Sequence, residues 1–136
     1  MKTSGLTGWH LDWAVAAALG IPRQEIYIGM RGTHRSTPCV YVFRRTRSKE
    51  GSLDGRCMTG PDLLFSSKWE VGGPILSEAR ISRTIDHSGL WIAYWTDGYT
   101  DGDAGKLCMQ CDRSELVAGL RCFVALKLGN DVEVPK

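Results

Sequence analysis

No stretch of this sequence approaches the roughly 20 apolar residues that a bilayer-crossing helix needs, so a membrane protein is not expected. Charge of one sign is not in excess either: 17 Lys and Arg against 15 Asp and Glu leave a net charge of +2. Nucleic-acid binders usually present a strongly basic face, and the near balance argues against a nucleic-acid partner. The five cysteines (Cys39, Cys57, Cys108, Cys111 and Cys122) are odd in number, which fits reduced thiols better than a secreted disulfide framework. Metal signatures are incomplete. Cys108-x-x-Cys111 has the spacing of half a zinc site, but no second C-x-x-C or H-x-x-x-H accompanies it. The segment from Asp97 carries Cys108 where a calcium loop needs its twelfth-position Glu. No serine sits in G-x-S-x-G. No metal and no cofactor is expected, and nothing in the residue inventory singles out a catalytic centre.

What is present describes one domain over residues 1–136, with enough apolar residues (43%) for a sizeable core. The opening "MKTSGLTGWHLDWAVAAALG" resembles a signal peptide only superficially, because His10 and Asp12 interrupt it early. Thr7 as cap and Gly20 as stop predict a helix over 8–19, apolar on most sides and therefore buried. A second helix follows Asp112, with Asp112 and Ser114 competing as its cap, and ends at Gly129. Gly119 inside it would permit close approach of another backbone. "EIYIG", "CVYVFRR" and "LWIAYW" read as strands, "KLCMQ" more weakly, with polar loops over 46–60 and 96–105. The expectation is an α+β fold in which an antiparallel sheet packs with N-terminal and C-terminal helices.

Candidate binding residues fall in three places. In Trp69-Glu70-Val71-Gly72-Gly73-Pro74, Pro74 suits the first position of a helix and Gly73 its cap. Uncovered N–H groups there would suit phosphate or carboxylate, with Trp69 free to stack on a purine. The plain alternative is a tight turn with a core tryptophan. The loop after Met30, with Arg31, His34 and Arg35, has the composition of a phosphate site or of an ordinary solvated loop. Asp12, beside Trp13, and Arg121 lie within apolar helices. Such charges are seldom buried unpaired, so they are either structural ion-pair members, with each other as one option, or pocket residues.

The segments "LTGWHLDWAVAAALGI", "WEVGGPI", "LWIAYW" and "GLRCFVALKLGNDVEVP" together resemble the NinX-like family of phage and prophage proteins. Leu11-Asp12 with Val15-Ala16, Trp69 to Ile75, and Arg121-Cys122 with Val124-Ala125 and Lys127-Leu128-Gly129 carry the match, whereas the basic 31–56 region and the C-x-x-C lie outside it. The resemblance implies a phage accessory protein in the cytoplasm of an infected bacterium. Its leading reading is a non-catalytic binder that sequesters a nucleotide-type defence signal, with Trp69, Gly72, Gly73, Pro74, Asp12, Trp13, Arg121 and Arg31 as ligand-binding residues. A homo-oligomer is expected with it. The alternative is a protein-interaction factor that inhibits or redirects a host protein. Third comes a nucleotide-processing enzyme using Asp12, His10 or His34 as acid or base.

Overall fold

The computed structural model describes residues 1–31, 37–47, 53–58, 63–96 and 106–135; the side chains of 29–31, 37–39, 41–47, 53–58, 96 and 106–108 are outside that description. Helix α1 spans Gly8–Ala18. Six consecutive residues, Leu11 to Ala16, are buried in it. A helix covered on successive residues is enclosed on all sides, and α1 does lie between α3 and the first sheet. It stops at Gly20, whose φ of 91° closes a left-handed cap in which Ile21 N–H reaches the Ala16 carbonyl at 3.3 Å.

The first sheet has the order β1-β2-β3, all antiparallel, from β1 (Ile26–Arg31), β2 (Thr37–Arg47) and β3 (Leu53–Met58). The second has the order β4-β5-β6, from β4 (Ser82–Ile85), β5 (Trp91–Thr96) and β6 (Lys106–Asp112). The fold is α+β as expected, with its described strands in two three-stranded sheets. β3 falls inside the polar stretch read as a loop; Asp54 and Gly55 hide its strand character, and only the register with β2 supplies it.

Helix α2, Trp69–Glu78, overturns the expected corner. It begins five residues before Pro74, with Lys68 as its cap and the Val71 and Gly72 N–H groups both on the Lys68 carbonyl, at 3.1 and 2.9 Å. Gly72, Gly73 and Pro74 are all helical. Pro74 has no N–H to give the Glu70 carbonyl, but both residues are exposed and water can serve that oxygen. Packing overrides the breaker signal: Leu76 is fully buried, and a Cβ at Gly72 would overlap the Phe65 carbonyl oxygen and lie 2.9 Å from Leu116 Cδ1. The helix ends on Arg80, held at φ 58°, a position where glycine is commoner.

Helix α3, Glu115–Leu128, resolves the competition between caps. Ser114 is the cap, its Oγ accepting from Val117 N–H at 3.3 Å, and Asp112 in turn accepts from Ser114 N–H at 2.8 Å. Gly129 terminates the helix at φ 92°. α3 packs on β5 and β6 with one face and on α1 and α2 with others. Gly119 faces the Leu76 side chain of α2, not another backbone.

Candidate functional site

The residues singled out from the sequence whose side chains are described do not converge on one place. Asp12 is buried at 4% exposure, and its Oδ1 accepts from the Ser66 N–H at 2.8 Å. Burial raises its pKa above the ordinary carboxylate value, and the bonds from Ser66 offset that in part. Arg121, also buried, turns elsewhere. Its Nε donates to the Leu6 carbonyl at 2.8 Å and its Nη1 to the Cys111 carbonyl at 2.9 Å, and Nη1 pairs with Asp112 at 3.0 Å. The two charges therefore do not pair with each other: Arg121 has its own carboxylate, and Asp12 forms no ion pair among the described residues.

Trp13 is a core residue. Its ring is 3% exposed, the Arg23 guanidinium lies 5.4 Å from the ring centroid, and its Nε1 is buried without an acceptor among the described residues. Trp69 is the opposite case, 46% exposed at the first turn of α2. Its ring lies against Gly73, and the Arg83 guanidinium stands 5.7 Å from its centroid, steadied by Glu115 at 3.0 Å. Gly72 is filled from behind by Phe65 and Leu116, so no N–H cradle remains there. Gly73 is inside the helix, not at its cap, and Pro74 is exposed. Arg31 ends β1, but its side chain lies outside the described residues, as do His34 and Arg35. His10 stacks on Trp9, ring centroids 3.7 Å apart. Cys108 and Cys111 lie within β6. Among the described residues no group of three or more His, Cys, Asp or Glu gathers to hold a metal.

A concave feature among the described residues lies elsewhere, where the three helices finish. A cleft of about 370 Å³ opens between Ala18 and Leu19 from α1, Ile75, Glu78 and Ala79 from α2, and Phe123 and Lys127 from α3. Its lining is apolar apart from Glu78 and Lys127. Both are exposed, and neither forms an ion pair with the other or with any described residue. None of the eight residues expected to bind ligand lines it; Ile75 is next to Pro74, and that is the nearest approach along the chain. No sequence signal marks this cleft, because its walls are ordinary aliphatic and surface-charged positions of three separate helices. Only their packing brings them together.

The family model described as "Bacteriophage P22, NinX" matches residues 2–127. A search of curated proteins gives no match.

Proposed function

From the premise that the chain belongs to the bacteriophage P22 NinX family, we propose that it is a phage accessory protein that binds and withholds a small nucleotide-type molecule without turning it over. The observation that carries this reading is the three-helix cleft. Its volume of about 370 Å³ is in the range of small-molecule sites, and it combines an apolar lining with two charges of opposite sign that pair with no described residue. A flat base would rest on Ile75 and Phe123. An exocyclic amine would donate to Glu78, and a phosphate oxygen would accept from Lys127. In an infected bacterium, a ligand with a base and a phosphate is the chemistry of a nucleotide defence signal, and holding it intact would blunt that signal.

A second reading has its own support. Exposed Trp69 and half-buried Arg83 form a cation–π pair, and Trp and Arg are the residue types that dominate protein-binding hot spots. A host protein docking there would make the chain an interaction factor.

Thermal unfolding against cyclic dinucleotides, cyclic mononucleotides and ADP-ribose-type compounds separates the readings. A ligand at about 100 times its Kd adds about 2.7 kcal/mol, a shift of several degrees for a domain of this size. The expected result is such a shift, with the compound recovered unchanged after denaturation and the shift lost in Lys127→Glu. A chemically altered compound would make the protein an enzyme. No shift across the panel would move the weight to a host protein.

A further inference from the structure

We propose that β4 is a self-pairing edge: two copies of this chain join antiparallel along it, across a two-fold axis at Thr84, into one six-stranded sheet. β4 is the outer strand of the order β4-β5-β6. Its register sets Ser82 opposite Tyr94, Arg83 opposite Ala93, Thr84 opposite Ile92 and Ile85 opposite Trp91. The next pair in that register is Asp86 with Leu90, and there the Asp86 N–H donates to the Leu90 carbonyl at 2.9 Å. Antiparallel pairs alternate between bonded and non-bonded. With Asp86 bonded, Thr84 and Ser82 are bonded too, and the N–H and C=O groups of Arg83 and Ile85 point away from β5, along the open edge.

Nothing on the strand blunts that edge. It has no proline, no lysine and no bulge, the usual devices against edge pairing. Its one charge, Arg83, is folded inward, with Nε on Glu115 at 3.0 Å and Nη1 on the Ile81 carbonyl at 3.3 Å. Beside it stand two large exposed apolar side chains, Ile85 at 51% and Trp69 at 46%.

The edge fits its own copy. Antiparallel pairing centred on Thr84 sets Arg83 opposite Ile85 of the second copy and Ile85 opposite its Arg83. Each of these two pairs exchanges two N–H···O=C bonds, so every outward peptide group of Arg83 and Ile85 is satisfied. Arg83 and Ile85 share the inner face of the strand, because side chains alternate. Ile85 of each copy therefore lands beside the Arg83 stem and Trp69 ring of the other, which is the self-complementarity a two-fold interface requires. Thr84 meets its symmetry mate on the outer face, a favourable cross-strand pair, and no like charges stand directly opposite.

Sedimentation of the purified full chain over a concentration series tests this together with site-directed cross-linking. The expected results are a mass that doubles as concentration rises, and loss of the dimer in Ile85→Lys with its far-UV circular dichroism, and so its fold, unchanged. Under mild diamide oxidation, Thr84→Cys should form covalent dimer at least tenfold faster than wild type or Ser82→Cys, because only position 84 faces itself. A wild type that stays monomeric throughout overturns the proposal. So does a dimer that tolerates Ile85→Lys, or cross-linking that does not favour Thr84→Cys.

Discussion

Asp12 sits in the middle of α1, and among the described residues the Ser66 bonds answer its charge. Burial opposes ionisation more than those bonds favour it, so its pKa in the folded chain lies above the ordinary 3.8. A raised folded-state pKa stabilises through the protonated form. That contribution is complete below about 3.8 and is lost as pH rises through the folded value. Asp12→Asn keeps an oxygen for the Ser66 N–H and never ionises. It should therefore raise the melting temperature at neutral pH, with the gain shrinking as pH falls toward 4; a melting series across that range checks it. The two neighbouring glycines of α2 should behave differently from each other. Gly72→Ala drives a methyl into the Phe65 backbone carbonyl, which cannot swing aside, and should cost about 1–3 kcal/mol. Gly73→Ala meets only the Trp69 ring, at 3.0 Å, and that exposed side chain can move. The gain in helix propensity, about 1 kcal/mol, then leaves the change near neutral. Urea denaturation of the two variants gives the comparison.

At the scale of elements, α2 and α3 are joined through a small residue and a large one. Gly119 leaves room for Leu76, and an added Cβ would overlap Leu76 Cδ1. Gly119→Ala should therefore destabilise by about 1–3 kcal/mol despite alanine's better helix propensity. Combining it with Leu76→Ala should cost less than the sum of the two single changes, because the methyl removed makes space for the methyl added. Denaturant midpoints of the four-member cycle measure that coupling. The contact also shapes the cleft, since Leu76 and Gly119 set how closely α2 approaches α3 just ahead of Ile75, Ala79 and Phe123.

Across the whole molecule, Arg121 is the tie. From α3 it reaches the Leu6 carbonyl ahead of α1 and the Cys111 carbonyl and Asp112 carboxylate at the end of β6. Arg121→Met would fill much of the same space but remove the donor from the buried Leu6 carbonyl and the part-buried Cys111 carbonyl, and leave the half-buried Asp112 carboxylate with only the Ser114 N–H among the described residues. A loss of about 3–5 kcal/mol is expected, read from urea unfolding at pH 7. Arg121→Lys should recover only part of it, because one ammonium cannot reproduce the planar spread of a guanidinium over three acceptors. Asp12, by contrast, should be removable without loss of fold. Asp12 and Arg121 thus have opposite roles in stability.

The α+β class, α1, α3 and their glycine stops were legible in the sequence, because helical periodicity, caps and left-handed glycines act over a few residues. The buried state of Asp12 and Arg121 was half legible. Their apolar neighbours announced burial, but their partners, Ser66 and Asp112, lie on other elements and leave no local trace. Tertiary packing alone decided the rest. Trp69 to Pro74 carries every local signal of a turn. It is helical because Gly72 fits against Phe65 and Leu116, and Leu76 must be buried. The cleft has no sequence signature because it exists only in the space between three helix ends. Local chain chemistry thus specified α1 and α3 and where they stopped; contacts between residues distant in sequence determined that α2 is a helix, whether a glycine was a hinge or a seat, and where the molecule is hollow.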